Sequence, residues 1–237
     1  MTDYRGTSLK VDDGEVILAD YMGSDISVVN AARASFGKRI TEMTPKDVKL
    51  IAYLAEHKHM SPFRHVVFTF NLQGISEVVI RQLFRHQVGC AYTSNEFKES
   101  ATAWNEISGR YTELEEEFHV PEAFRKQHPS NRQASLSEVH VDDHEAAAKI
   151  YNDAVKSSYD SYKALLAAGV CREQARMVIP LCFKTSVVWT VSLEAVAHFI
   201  KLRDHEGAQW EIRKLARALE ALVKPICPAS LSALICM

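Results

Sequence analysis

The sequence predicts an α+β fold, a single domain in which a β-sheet is flanked by helices. Three observations predict it. Residues 65–72 alternate, with Val66, Phe68, Phe70 and Leu72 on one side and Val67, Thr69 and Asn71 on the other, the period of a half-buried strand. Other segments begin at capping residues and carry apolar side chains at helical spacing. The two kinds of segment interleave without strict β-α-β alternation, which disfavours a parallel, doubly wound sheet. At 237 residues, with only 9 Gly and 7 Pro and no repeats, the chain reads as one domain without a long flexible linker.

Taken in order, residues 15–20 read as a short strand, and Gly23-Ser24-Asp25 then offers a cap for a helix through Arg33. Thr44-Pro45-Lys46-Asp47 is a stronger start, because Thr44 can cap, Pro45 suits the first helical position and Asp47 falls where a capping acid helps. Val48, Ile51, Leu54 and Ala55 are expected on one face of that helix. After Gly74 a helix is expected with Ile75, Val78, Val79 and Leu83 on its apolar face, and with Arg81 and Arg85, four apart, on another. Residues 88–104 read as a polar loop, and residues 113–137 as charged chain broken by Pro121 and Pro129. Asp142 is the expected cap of a long helix running to Gly169. Residues 172–178 read as helical up to Pro180, and 181–191 as extended. Ser192 then caps a helix holding Val196, Phe199 and Leu202, and 208–223 read as the last helix.

Composition excludes several functions. A net charge of −2 gives no bulk attraction to nucleic acid or to an anionic membrane, so neither is an expected partner. The 5 cysteines are odd in number and form no C-x-x-C pair, which reads as reduced thiols rather than a disulfide framework. The N-terminal run lacks the apolar core of a signal peptide, and the apolar run at 181–191 is short and interrupted by Lys184. The expected compartment is the cytoplasm, of a bacterium or of a cell hosting a virus. His57 with His59, and His140 with His144, lack a nearby thiolate or the Glu of H-E-x-x-H, so no metal is expected.

Two runs carry most of the chemistry: Asn105-Glu106-Ile107-Ser108-Gly109-Arg110-Tyr111, and Leu202-Arg203-Asp204-His205-Glu206-Gly207-Ala208-Gln209-Trp210-Glu211-Ile212. Each sets an arginine among polar groups and aromatic surface, and Arg85 beside His86 adds a third. Guanidinium forks bind phosphate bidentately and stack on rings, so such groups suit a planar anionic ligand. Each also has a plain structural reading. Arg203 can pair with Asp204 or Glu206, Arg85 can complement a helix dipole, and Ser108 can be an ordinary turn serine before Gly109.

These runs stand with others in a fixed order: Gly23-Ser24-Asp25-Ile26, Ala31-Ala32-Arg33-Ala34-Ser35-Phe36, His59-Met60-Ser61-Pro62-Phe63-Arg64-His65, Arg81-Gln82-Leu83-Phe84-Arg85-His86, Ala175-Arg176-Met177-Val178-Ile179-Pro180-Leu181 and Trp189-Thr190. Together they resemble the flavin-dependent thymidylate synthases, the thymidylate synthase-complementing proteins. The resemblance covers nearly the whole chain, 1–237, as one domain of that fold with an insertion at about 88–104.

The resemblance implies conversion of dUMP to dTMP, with methylenetetrahydrofolate as one-carbon donor, reduced FAD as hydride source and NADPH reducing the flavin. It also implies a homotetramer with shared active sites. Arg203 matches the arginine that favours ionisation of uracil at N3, the catalytic assignment. Gln82, Leu83, Phe84, Arg85, Glu106, Ile107, Ser108, Gly109, Arg110, Arg176 and Arg203 match dUMP-binding positions. His59, Ser61, Arg85, His86, Gln87, Glu106, Ser192, Glu194 and His198 match the FAD side. No covalent nucleophile is expected, because Cys227 in Pro225-Ile226-Cys227-Pro228 has no adjacent His or Arg to lower its pKa.

The chain also departs from the pattern. Gln87 replaces the third residue of an Arg-His-Arg triplet, and a second Asn95-Glu96 inside the insertion lacks the following Ser-x-Arg. Ser192-Leu193-Glu194 stands where many relatives carry Asn-x-Arg. Glu194 therefore replaces a cation beside the FAD phosphates, which should weaken that contact unless Lys201 or another group compensates. The insertion is expected to cover the mouth of the site and supply such contacts. Two rivals stand beside this reading: a sibling enzyme that modifies dUMP at C5 differently, as by hydroxymethylation, and a non-catalytic nucleotide-binding protein.

Overall fold

A short hairpin, β1 (Ser8–Val11) and β2 (Gly14–Met22), starts the sheet. The computed structural model describes residues 2–86 and 103–236, and all structural statements refer to these. Ser24 precedes α1 (Asp25–Arg33), and Thr44 precedes α2 (Pro45–Glu56). The Asp47 carboxylate accepts hydrogen bonds from the Thr44 amide at 2.9 Å and the Thr44 hydroxyl at 2.6 Å, so this cap forms from residues three apart, as expected. Ile51, Leu54 and Ala55 are buried along one face of α2, but Val48 is 47% exposed and leaves that stripe.

The alternating segment becomes β3 (Val67–Ser76), and Val66, Phe68, Phe70 and Leu72 are wholly buried. β3 runs two residues past Gly74, so Ile75 belongs to the strand and α3 (Glu77–Leu83) begins later than expected. The cause is a bulge. Gly74 has a φ of +63°, and register with the neighbouring strand shifts between Leu72 and Ile75. Opposite it, a Cβ on Gly14 would lie 2.5 Å from the Gly74 carbonyl oxygen, so both positions need glycine.

β4 (Ala103–Glu106) includes Ala103 and Trp104, so the expected loop through 104 gives way to a strand at its end. Of the proposed insertion at 88–104, the remaining residues through 102 lie outside the described residues. The charged stretch hides a hairpin, β5 (Arg125–Gln127) with β6 (Ser135–His140); β5 is too short and polar to show an alternating pattern, and β6 does not alternate. Asp143, not Asp142, caps α4 (His144–Ala167), its carboxylate accepting from the Ala146 amide at 2.8 Å. Asp142 instead pairs with Lys126 at 2.6 Å.

α5 (Arg172–Ala175) and a 3-10 turn (Arg176–Val178) lead to β7 (Lys184–Ser192). Ser192 caps α6 (Leu193–Arg203), accepting from the Ala195 amide at 3.3 Å. α7 (Trp210–Val223) follows, but it is not the last helix. α8 (Pro228–Ile235) comes after it, capped from across the fold by Asp25, which accepts from the Ala229 and Ser230 amides at 2.9 Å each.

The five-stranded sheet is antiparallel throughout, in the order β1-β2-β3-β7-β4. One face packs on helices: Val16 and Leu18 of β2, Phe68 and Phe70 of β3 and Trp189 of β7 share a core with Phe199 of α6, Leu215 and Leu219 of α7 and Leu231 of α8. Each such fully buried side chain contributes roughly 1.5–3 kcal/mol. A second, smaller cluster, Leu114, Tyr162, Ala175 and Phe183, forms under α4. Because α6 follows β7 directly and α3 follows β3 directly, these two adjacent strands launch the two helices that carry the functional side chains.

Candidate active site

A row of polar side chains runs along α6. At its start Glu194, though buried, is ionically paired with Arg64 from the 3-10 turn Ser61–His65, and Arg64 Nη2 donates to Glu194 Oε1 at 3.2 Å. His198 lies one turn further on, and its ring centre is 6.1 Å from that of His86. His86 is buried and packs edge-on against Phe199 at 4.9 Å.

At the end of α6, Arg203 Nε donates to His86 Nε2 at 2.8 Å, and its Nη1 reaches Gln82 Oε1 at 3.5 Å. Gln82 Nε2 donates to Gln209 Oε1 at 2.7 Å. Gln209 Nε2 donates to Glu211 Oε2 at 2.9 Å, and the other Glu211 oxygen accepts from Arg125 Nη2 at 2.7 Å.

Arg203 therefore does not pair with Asp204 or Glu206. Asp204 is taken by Arg217 at 2.9 Å and by Arg213 at 3.8 Å. The two partners of Arg203 are uncharged acceptors, so its positive charge is fixed in direction without being neutralised. Burial pulls the guanidinium pKa down from its ordinary value, a desolvation cost that an anionic ligand would relieve.

Burial, first, and then the charge of Arg203 and the neighbouring His198 push the His86 ring from its ordinary 6.5 down to about 4. At neutral pH the ring is uncharged, its Nε2 lone pair taken by Arg203. Between pH 6.5 and 4 the unfolded chain holds more protons at this ring than the folded chain. The associated stability is complete above pH 6.5 and drains away as pH falls toward 4, by up to about 3 kcal/mol. Denaturation midpoints taken from pH 7 to 4 should fall accordingly, and His86→Asn should flatten that slope relative to the parent protein.

A second group lies on the other side of α3. Neighbouring residues of this helix face apart: Gln82 joins the polar row, while Arg81 lines a cavity of about 360 Å³. Glu77, Glu106, Ile107, Gly109 and Arg176 line it too. β4 sets Glu106 against β7, where Glu106 Oε1 accepts from the buried Thr185 hydroxyl at 2.8 Å. Desolvation raises the Glu106 pKa, the Thr185 bond opposes this, and nearby Glu77 adds to it. Arg81 pairs with Glu77 at 3.4 Å.

The adjoining turn is closed by Ser108, whose carbonyl accepts from the Tyr111 and Thr112 amides at 3.0 and 3.1 Å. Its hydroxyl accepts from the Arg110 amide at 3.3 Å. A Cβ on Gly109 would meet Leu114 at 2.9 Å, so glycine fits where a larger residue would crowd. Arg110 and Glu173 lie 3.6 Å apart and are both exposed.

The remaining candidates scatter around these groups. Leu83 is wholly buried in the core, and Phe84 packs edge-on against Trp104 at 5.0 Å. α3 ends at Leu83, so Arg85 lies in the turn beyond it, exposed, and the expected i,i+4 relation to Arg81 does not hold. His59 and Ser61 are exposed, with His59 edge-on to Tyr53 at 6.2 Å. Gln87 lies outside the described residues. Sequence reasoning left Arg64, Arg81, Thr185 and Gln209 without roles. Gln209, Arg81 and Arg64 lie inside the matching motifs, whereas Thr185 and the pairing of Arg64 with Glu194 carry no local signal. Among the described residues no group of His, Cys, Asp or Glu is placed to hold a metal ion, and no helix is long and apolar enough to cross a membrane.

Fold and site together define a class: an α+β protein that presents arginines on both sides of one short helix, a donor set suited to phosphorylated ligands. Comparison with known proteins narrows this. The family model described as thymidylate synthase complementing protein matches residues 17–229. A flavin-dependent thymidylate synthase of Thermus thermophilus is 44% identical over 223 residues, covering 94% of this chain and 76% of that one. One of Thermosipho melanesiensis is 39% identical over 219 residues, covering 92% and 89%. The crystal structure of the UMP/dUMP methylase PolB from Streptomyces cacaoi, bound with 5-Br dUMP, superimposes with a TM-score of 0.81 at 28% identity, covering 95% of this chain and 96% of that one. The chain belongs to the thymidylate synthase complementing protein family.

Proposed function

We propose that this protein converts dUMP to dTMP without forming a covalent bond between substrate and polypeptide. The observation that carries the reading is Arg203, half-buried and held by the neutral groups of His86 and Gln82, with no carboxylate paired to it among the described residues. A guanidinium so fixed stabilises negative charge developing on a uracil ring at N3, which makes C5 nucleophilic. It needs no reorganisation when that charge appears, because its hydrogen bonds are already made.

Arg176, Arg110 and Arg81 supply cations for the nucleotide phosphate, with Ser108 and the Glu106–Gly109 backbone beside them. Arg203 and Arg176 share no contact or pocket wall among the described residues of one chain. That separation favours a complete site assembled from several copies, as in a homotetramer. The donor set near α6 fits a flavin dinucleotide, because Ser61, Arg64, Arg85 and His198 are exposed there as hydroxyl, guanidinium and imidazole groups. Reduced FAD would supply the hydride, methylenetetrahydrofolate the one-carbon unit and NADPH the electrons that reduce the flavin. A cytoplasmic setting suits such small-molecule chemistry.

The thiolate route is disfavoured. Cys227 is wholly buried, and burial, reinforced by nearby Asp25, pushes its thiol far above the ordinary range. Cys227→Ala should lower stability by about 1 kcal/mol through lost packing and leave kcat within about twofold. A dead, folded variant would restore the thiolate route.

The test is an anaerobic assay with FAD, NADPH, methylenetetrahydrofolate and either dUMP or UMP, with products identified by mass. A product heavier by one methyl group in place of hydrogen supports the reading, and a hydroxymethylated product replaces it with the sibling activity. Purified protein that neither carries nor takes up flavin points to a non-catalytic nucleotide binder. The UMP arm follows from the UMP/dUMP activity named for the solved relative.

A further inference from the structure

Glu194 stands where the flavin reading needs a positive group, and the structure shows what meets it. Arg64 approaches through both Nε and Nη2, one nitrogen to each carboxylate oxygen. Such a fork holds the planar guanidinium in one orientation. Of its five N–H donors, two face Glu194. The Nη1 pair and the other Nη2 hydrogen point away from it, and the Arg64 side chain is 54% exposed.

Position reinforces this. Arg64 sits in a 3-10 turn that begins at Ser61, and residues three apart in such a turn eclipse one another. The Ser61 and Arg64 side chains therefore leave the turn on the same side. Glu194 lies in the first turn of α6, where helix amides favour negative charge. Lys201, the alternative source of charge, is exposed seven positions further along α6 and has no ion pair among the described residues.

We propose that Arg64, oriented by Glu194, supplies the cation that contacts the diphosphate of the bound flavin dinucleotide. The inference rests on the flavin reading given above. Its chemistry is an anion site of two donors, the Ser61 hydroxyl and the Arg64 Nη1 edge, with the buried carboxylate behind them as a positioning group.

The test is fluorescence titration of the full-length protein, stripped of flavin, with FAD and with riboflavin, which lacks the phosphates. Arg64→Gln should weaken FAD binding by about ten- to a hundredfold, the loss of one charge-assisted contact, and change riboflavin binding by less than about threefold. The exchanged pair R64E/E194R returns a guanidinium from the helix side and should recover FAD binding to within about fivefold. Should Arg64→Gln fail to fold because Glu194 is left buried and unpaired, R64Q/E194Q strands no charge and should show the same selective loss. FAD binding at the parental level in either glutamine variant overturns the proposal, as does equal weakening toward FAD and riboflavin. A parent protein that binds neither flavin removes the flavin reading itself, and the proposal falls with it.

Discussion

Arg203→Ala is expected to lower kcat by at least about a thousandfold while leaving the folded chain intact. Removing one preorganised donor aimed at developing charge typically costs a hundred- to a thousandfold, and here the group lost carries a full charge as well. The fold should survive, because Arg203 lies at the last turn of α6 and, among the described residues, makes no carboxylate pair that truncation would strand. Its partners lose one hydrogen bond each, and His86 is already neutral, so no buried ion is left behind. Arg203→Lys should rescue little, since an ammonium cannot reach His86 and Gln82 from one planar fork. Single-turnover rates with saturating substrates, together with circular dichroism, decide the matter. Rates near the parental value in either variant would remove Arg203 from its assigned role.

Trp189→Ala is expected to cost about 3–5 kcal/mol, a large share of the stability of a typical domain. The indole is wholly buried on β7 and packs against three other rings. It stacks on Trp104 at 4.7 Å with planes 4° apart, and meets Phe199 edge-on at 5.9 Å and Phe70 at 6.0 Å. Its Nε1 is buried without a hydrogen-bond partner among the described residues. Trp189→Phe should therefore cost much less, because it gives up ring volume and no hydrogen bond. The same residue links stability to function. Trp104 belongs to β4, which carries Glu106, and Ser192 at the end of β7 caps α6. At temperatures where the truncated variant remains folded, its KM for dUMP should rise more than its kcat falls. Urea denaturation of the two variants, with steady-state kinetics, measures both effects. A Trp189→Ala midpoint equal to that of the parent would show that the ring cluster does not stabilise the sheet.

Particular elements show which kinds of information lie near the surface of a sequence. The caps at Thr44 and Ser192 could be read directly, because each rests on hydrogen bonds among residues three apart. Asp142 was the wrong member of an adjacent pair, since both aspartates satisfy the same local pattern and only the path of the chain past Lys126 separates them. The β5–β6 hairpin has no legible signal because β5 is three polar residues and the apolar Leu136 and Val139 of β6 are three apart, out of step with a period of two. α8 escaped because its N-terminal amides are capped by Asp25, 204 and 205 positions away. Within the site, the motifs marked Arg203, Glu106 and Arg176. Nothing local marked the carboxylate of Glu194 as held by Arg64, 130 positions earlier.

By itself, the sequence determined the three long strands β2, β3 and β7, the starts of most helices, the apolar stripes that build the core, and the supply of arginines for an anionic partner. Those properties depend on backbone geometry and side-chain period over a few residues. Only the tertiary structure decided that Arg203 keeps an uncancelled charge, that His86, 117 positions away, is held neutral beside it, and that the arginines divide between two faces of α3. The reason is that desolvation and pairing are set by distances between atoms far apart along the chain, and those distances exist only once the strands have found their partners.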